Sequence, residues 1–170
     1  PTRGLSLALQ TGLGQANQHG GPNGPFARLY GRLTGYLPLG ERWYGTARIE
    51  LGHLAHGTGV RVPDALGFRA GGDESVRGYA WRSLAPIDAQ GGTVSGERLL
   101  TASAEVARPI LASMPSLWGA LFVDAGRAVS DWRDFKPAWG YGAGLRWRSP
   151  IGPLRLDLAW ADELKKLRLH

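Results

Sequence analysis

Residues 139–148 read WGYGAGLRWR, and along this stretch large apolar side chains alternate with glycine and arginine. Successive side chains of a β-strand point to opposite faces. One face would therefore be apolar and begin and end with Trp139 and Trp147, while the other would carry glycines and arginines. The eight residue steps between the two tryptophans span roughly 26 Å. Allowing for strand tilt, this matches the apolar band, with an aromatic girdle at each rim, of a strand in an outer-membrane β-barrel.

The same alternation recurs along the chain and predicts eight strands. We place them near residues 5–10, 28–37, 43–51, 100–106, 117–126, 139–148 and 154–160, with the last beginning near Lys165. The connections alternate in length. Those at 15–25, 57–96 and 127–137 are long, the one at 109–116 is moderate, and those at 38–41 and 149–153 are short. Barrels of the outer membrane sort short turns and long loops in this way. The pattern favours an all-β, antiparallel transmembrane β-barrel, with a soluble β-sandwich as the alternative.

The amino-acid composition limits the kinds of site and membrane segment that this chain can form. The 170 residues include 26 glycines, 7 tryptophans and no cysteine, which excludes disulfides, thiolate metal sites and a cysteine nucleophile. The formal charge of +6 comes from basic residues dispersed along strands, where they alternate with apolar neighbours. No apolar run approaches the roughly 18 residues of a transmembrane helix. A membrane role therefore requires a barrel.

The connection at about 58–96 contains the sequence FRAGGDESVRGY at residues 68–79. Long connections without their own secondary structure are uncommon and are usually functional or disordered. This segment is too polar and glycine-rich for a lipid-facing strand. We expect it to fold into the barrel; the alternative is a flexible surface loop.

Within that segment, GGDESVRGY at residues 71–79 resembles the conserved-loop signature of the outer-membrane assembly and two-partner secretion superfamily, the bacterial surface antigen family. The superfamily includes BamA, TamA and the filamentous-hemagglutinin transporters. TamA-like members are the most similar at SLAP (83–86), LFVDAGRAVSD (121–131), GYGAGLRW (140–147) and SPIGPLRLD (149–157). The likeness is close from about Phe68 onward, whereas earlier residues share only the strand pattern.

The resemblance implies a sixteen-stranded barrel of the bacterial outer membrane, with residues 1–170 as its C-terminal eight strands. Eight earlier strands and periplasmic POTRA domains would precede them. The start at Pro1 without an initiator methionine, and the stop at His170 inside an alternating stretch, agree with a fragment that lacks the family's final aromatic-ended strand.

The resemblance also implies a function, which is insertion or export of client outer-membrane proteins such as autotransporters, with a TamB-like periplasmic partner. A BamA-type assembly core and a two-partner secretion pore are the near alternatives. The outer-membrane lipid is a further expected partner.

Residue types suggest how the loop is held. Asp124 shares a strand face with Phe122, opposite Leu121 and Val123, so its carboxylate points into the lumen and requires a cation. The planar guanidinium of Arg77 suits a two-bond contact with it. We therefore predict a structural lock formed by Arg77, Gly78, Tyr79 and Asp124.

Glycines on the next strand suggest where the loop docks. Strand glycines often mark the close approach of another backbone. We predict a loop-docking wall made of Gly140, Gly142, Gly144 and Arg146. The alternative is that these glycines only ease the curvature of the barrel.

Other chemistry has little support. His53 and His56 project to opposite faces of a strand-like segment, without a carboxylate at ligand spacing. Ser75 and Ser83 lack a histidine and acid neighbourhood. We predict no catalytic, cofactor or metal site, and no enzyme; an outer-membrane enzyme barrel would need a Ser, His and acid cluster. A basic nucleic-acid-binding β domain would show steeply salt-dependent binding, but arginines that face a lumen predict no nucleic-acid partner.

Overall fold

In the computed structural model, which describes residues 3–17 and 19–170, the chain forms an eight-stranded antiparallel sheet whose strands pair in chain order. The strands are β1 (Gly4–Ala16), β2 (Gly24–Pro38), β3 (Tyr44–His56), β4 (Arg98–Leu111), β5 (Met114–Val129), β6 (Ala138–Ser149), β7 (Gly152–Ala161) and β8 (Lys166–Leu169). Single 3-10 turns lie at Asp64–Leu66 and Trp132–Asp134. The prediction of an all-β antiparallel fold is confirmed.

None of the helical turns in the described ranges has the length and apolar character needed to cross a bilayer.

Strand boundaries differ from the sequence prediction in several places. The expected connection at 109–116 is a tight turn at residues 112 and 113, because β4 and β5 stay paired up to Leu111 and Met114. A register shift between Pro109 and Leu111 absorbs the proline, which has no N–H for the ladder. β3 begins one residue after Trp43. The connection expected at 15–25 is confined to residues 17–23, of which Gln18 lies outside the described residues.

The three longest connections all lie at the same end of the sheet. Residues 39–43, 112–113 and 150–151 lie at one end, which we call the short-turn end. Residues 17–23, 57–97, 130–137 and 162–165 lie at the other, the long-loop end. Because antiparallel strands reverse direction at each connection, the alternation in sequence becomes a separation in space.

The two faces of the sheet differ in character. The inner face is the side against which the segment 57–97 packs, and the outer face is the side away from it. Large apolar side chains stay exposed on the outer face, including Leu7, Leu33, Ile49, Leu121, Tyr141 and Leu156. Between segment and inner face lies a buried cluster that includes Phe68, Val76, Tyr79, Leu84, Leu99 and Ala138. The apolar core is thus formed by a loop packed on a sheet.

The sheet curves around its inner face. A polar cavity of about 340 Å³ is lined by Ser6 of β1, Arg155 of β7 and residues of the segment such as Asp73. Strands so far apart in the sheet order share one cavity because the sheet bends towards itself.

Candidate functional site

The segment 57–97 is held in an ordered fold by short backbone bridges. Phe68 pairs with Gly96, Ala70 with Leu84, and Ile87 with Thr93. At its base, the Ser95 N–H donates to Asp64 Oδ1 at 2.7 Å, and Arg69 forms an ion pair with Asp64. These contacts bring the two ends of the segment together.

A tight turn presents residues 72–78 to the sheet. The Ser75 N–H donates to Gly72 O at 3.0 Å, and the Gly72 N–H donates to Val76 O at 3.2 Å. Gly78 has φ +93°, and a Cβ atom at this position would lie 3.0 Å from the backbone nitrogen of Ala161 in β7. Backbone conformation and close approach both favour glycine here.

Arg77 contacts Asp124 of β5 through three hydrogen bonds. Its Nε donates to Oδ2 at 2.6 Å, its Nη2 donates to Oδ1 at 2.8 Å, and its backbone N–H donates to Oδ2 at 3.1 Å. The Arg77 side chain is 3% exposed and that of Asp124 is 0% exposed. The structure thus places these two predicted residues in direct contact, and their role as a lock stays a prediction.

Arg77 also belongs to a wider ion-pair network. Its Nη1 lies 2.7 Å from Glu105 Oε2 on β4 and 3.3 Å from Asp157 Oδ2 on β7. Arg146 of β6 bonds both of those carboxylates, and Arg155 Nε lies 2.7 Å from Asp157 Oδ2. In the part of the chain that the structure describes, this network joins the guanidiniums of Arg77, Arg146 and Arg155 to the carboxylates of Glu105, Asp124 and Asp157.

The network is balanced in charge, which lets Arg77, Asp124 and Asp157 be buried at its centre. Burial alone would lower the pKa of the Arg77 guanidinium, but hydrogen bonds and attraction to Asp124, and then to Glu105, outweigh burial and raise that pKa. The guanidinium also lies over the Phe122 ring, with Cζ 3.4 Å from the ring centroid. Arg77 therefore remains charged while it is surrounded by protein.

Tyr79 and Gly78 attach the segment to the sheet on the other side of Arg77. The Tyr79 hydroxyl donates to Trp139 O at 3.1 Å and accepts from the Glu163 N–H at 3.2 Å, and burial raises the pKa of this phenol. The Gly78 N–H donates to His170 Nε2 at 2.9 Å. The His170 ring also bonds Asp73.

The predicted loop-docking wall is only partly in contact with the segment. A Cβ atom at Gly140 would overlap the carbonyl oxygen of Arg77. One at Gly142 would overlap the carbonyl oxygen of Leu158 on β7 and lie 2.8 Å from the Phe122 ring. One at Gly144 would collide with the Arg146–Asp157 ion pair. Gly140 therefore makes room for the segment itself, whereas Gly142 makes room for the β7 backbone and the Phe122 ring, and Gly144 for the Arg146–Asp157 ion pair. The wall's role in docking stays a prediction.

Several residues of the site were not expected from the sequence as partners of the segment. Glu105, Asp157 and Arg155 carry only the signal of inward-facing charges in alternating strands, which does not reveal the partner of each. Ser103 donates from Oγ to Asp124 Oδ1 at 2.6 Å. His170 receives a backbone N–H, an interaction that leaves no mark in the sequence.

The remaining polar candidates, His56, Ser75 and Ser83, contact other groups of the segment or its flanks. His56 Nε2 lies 2.7 Å from Glu97 Oε1. The Ser75 hydroxyl accepts from the Gly71 N–H, and the Ser83 hydroxyl donates to Ala80 O. Over residues 3–17 and 19–170, no group of three or more His, Cys, Asp or Glu side chains is arranged to hold a metal ion.

Comparison with known proteins places the chain among outer-membrane barrels. A family model described as the Omp85 superfamily domain matches residues 1–168. Outer envelope protein 80 of Arabidopsis thaliana chloroplasts is 32% identical over 107 residues, which are 56% of this chain and 13% of that protein. Outer envelope protein 39 of the same chloroplasts is 36% identical over 103 residues, which are 54% of this chain and 25% of that protein.

A solved structure shows the same fold. The crystal structure of BamA from Haemophilus ducreyi lacking POTRA domains 1–3 matches with a TM-score of 0.75 at 22% identity. The match covers 100% of this chain and 37% of that one, so the chain spans well under half the length of the proteins that it matches. The predicted outer-membrane location and β-barrel class are confirmed.

Proposed function

Because this chain belongs to the Omp85 superfamily, we propose that it is part of a barrel that inserts client proteins into the outer membrane or exports them across it. The barrel has no enzymatic step in this proposal. It acts through its wall, through the lateral seam at which the first and last strands of the barrel meet, and through the segment that folds onto its inner face. The clients are outer-membrane proteins.

The finer proposal is a TamA-type role. The clients are then autotransporters, and the partner is a TamB-like protein that spans the periplasm. The motifs at 71–79, 121–131 and 140–147 support it, since their resemblance is greatest to TamA-like members. A BamA-type core and a two-partner secretion pore predict other clients, so the choice of client separates the three.

We further propose that residues 1–170 supply the C-terminal eight strands of a sixteen-stranded barrel. In the described ranges, β1 pairs only with β2, and β8 pairs only with β7. A barrel that crosses a bilayer leaves no strand edge unpaired, because water is absent there to satisfy the backbone. Other strands of the same barrel are the occupants that we propose for these two edges.

The observation that carries the functional proposal is the burial of Arg77 among charges from β4, β5 and β7. A single side chain of the segment thereby contacts three strands at once. A barrel that only conducted solutes would gain little from this arrangement. A barrel that handles a client along its wall needs strands and an inner segment that keep a fixed relation while other parts move.

The experiment is client insertion by the full-length protein in liposomes. Urea-unfolded outer-membrane β-barrels and an autotransporter are added separately, and their folding and protease protection are followed over time. Faster folding of the autotransporter alone supports the TamA-type role. Faster folding of every barrel supports a BamA-type core, and passage of a soluble secreted protein supports a two-partner pore. No effect on any client contradicts the proposal.

A further inference from the structure

A tryptophan and an arginine lie together on the outer face at the short-turn end. Tyr44 of β3 pairs with Ala107 of β4, which makes the preceding Trp43 and the following Arg108 neighbours across the two strands. The Arg108 guanidinium carbon is 5.0 Å from the centroid of the Trp43 ring. Arg108 continues the outward-facing positions Ala104 and Val106 of β4. The pair therefore lies at the rim of the lipid-facing surface.

Next to this pair is a groove with a charged mouth and an apolar wall. It measures about 480 Å³ and is lined by Arg42 and Arg108 together with Pro109, Ile110, Leu111 and Pro115. Ile110 and Leu111 are each 46% exposed. The groove thus offers two guanidiniums beside an apolar surface.

The two arginines of the groove have no acidic partner. Within residues 3–17 and 19–170, neither Arg42 nor Arg108 has a carboxylate oxygen within 4.0 Å, and the adjacent Glu41 forms no ion pair with them. Arg77, Arg146 and Arg155 on the inner face are all paired. The positive charge of the outer rim is therefore uncompensated by the protein.

We propose that this groove binds the headgroup phosphate of an anionic phospholipid in the leaflet at the short-turn end. Guanidiniums bind phosphate oxygens through pairs of hydrogen bonds. The Trp43 ring lies at the depth where tryptophan favours the membrane interface. Ala104 and Val106, which lie on the same outer face of β4 but further from the turn than Arg108, then contact the acyl chain. A phospholipid carries its phosphate at the rim and its acyl chain towards the bilayer centre, which is the order in which Arg108 and these two residues follow along β4.

The molecule contains its own control for this site. On the inner face at the same end, Arg148 lies over Trp118, with the guanidinium carbon 4.8 Å from the ring centroid. Trp118 packs on Tyr44 there. The chemistry matches that of Arg108 and Trp43, but the inner face does not meet the bilayer. A soluble anion reaches both pairs, whereas a phospholipid reaches only the outer one.

The test uses the full-length protein in phosphatidylcholine vesicles to which phosphatidylglycerol is added, with retained lipid measured by native mass spectrometry. Arg42→Gln and Arg108→Gln should each weaken phosphatidylglycerol retention about fivefold, and the double variant should combine both losses. Arg148→Gln should retain as much as the parent protein. Inorganic phosphate should not displace the lipid at equal concentration.

Three results would each overturn the proposal. Equal retention of phosphatidylcholine and phosphatidylglycerol would show that headgroup charge is not recognised. Equal loss in Arg148→Gln, or displacement of lipid by inorganic phosphate, would assign the binding to soluble anions. Folding of each variant is checked by heat-modifiable migration on gels. If the double variant does not fold, Arg42→Gln alone decides, because Arg42 lies in the turn at 39–43 outside the strands.

Discussion

The carbonyl oxygen of Arg77 occupies the space that a side chain at Gly140 would need. A Cβ atom at Gly140 would also lie 3.1 Å from the Arg77 carbonyl carbon and 3.6 Å from Val76 Cγ1. The backbone of the segment and that of β6 thus meet without room for a methyl group.

Gly140→Ala should therefore displace the segment and destabilise the folded barrel by about 1–3 kcal/mol, the usual cost of an added methyl group in a packed site. The midpoint of urea unfolding, read from heat-modifiable migration, measures this. Gly12→Ala on β1 is the matched control. It is a strand glycine whose Cβ would meet nothing closer than Arg28 Cβ at 4.0 Å, so it should be neutral or stabilising. Equal effects of the two changes would reject close approach as the reason for glycine.

The contact between Arg77 and Asp124 should behave as a coupled pair. Arg77→Ala leaves the Asp124 carboxylate without a cation, and Asp124→Ala removes the bidentate partner of Arg77. Breaking a buried pair costs about 3–5 kcal/mol. Glu105 and Asp157 remain near Arg77 after Asp124 is removed, so Asp124→Ala should be the milder of the two single changes. The double variant should be little worse than Arg77→Ala.

A double-mutant cycle of unfolding free energies measures this coupling, which we expect at about 0.5–3 kcal/mol. The exposed pair of Arg127 and Glu163, with Nη2 to Oε2 at 2.5 Å, serves as the control pair. Its coupling should stay below about 1 kcal/mol, because solvent screens it. Additive losses at Arg77 and Asp124 would remove the lock.

The outer face should tolerate a charge poorly. Leu156 of β7 faces outward and is 49% exposed, and its neighbour Arg155 faces the inner side. Leu156→Arg should hinder membrane insertion by about 2–4 kcal/mol if the residue lies near the bilayer midplane. Arg155→Leu should be milder, since it removes one contact to Asp157 and leaves the lipid-facing surface unchanged. Folding yield into liposomes compares the two, and equal yields would contradict the assignment of faces.

The fold was largely predictable because the alternation of adjacent residues identifies the two faces of a strand. The alternation at 139–148 identifies both faces without knowledge of any neighbour. The limits of β4 and β5 were not predictable, because Pro109 interrupts the pattern while a bulge lets pairing continue.

The site was predictable only in part. The contact between Asp124 and Arg77 was predictable from their charges and from the face of the strand on which Asp124 lies. Their further partners Glu105 and Asp157 depend on the register between β4, β5, β6 and β7, which local alternation does not specify. The His170 contact depends on where a backbone N–H points, and no residue type at Gly78 signals it.

The base of the segment should loosen in acid. The Ser95 N–H, and then Arg69, hold the pKa of the Asp64 carboxyl at about 2, below its usual value of 3.8. Because its pKa is lowered in the folded state, the Asp64 carboxylate stabilises the fold at pH values above about 4. This stabilisation is lost as the pH falls from about 4 through about 2. The side chain is 55% exposed, so we expect less than about 1 kcal/mol. Amide exchange at Ser95 should rise over this range in the parent protein. In Asp64→Asn the exchange should already be high and, after correction for intrinsic exchange, should not change with pH.

The last prediction concerns His170, which links β8 to the turn of the segment. Its Nε2 accepts the Gly78 N–H at 2.9 Å, and its backbone N–H donates to Asp157 O at 2.8 Å. His170→Ala in the full-length protein removes the ring's contacts to Gly78 and Asp73 but keeps the backbone bond to Asp157. Leaving the buried Gly78 N–H unpaired costs about 1–3 kcal/mol. Gly78 amide exchange should therefore rise. Arg168→Ala, two residues earlier in β8, should leave Gly78 exchange unchanged. A rise in both variants would mean that β8 as a whole, and not the His170 ring, holds the segment.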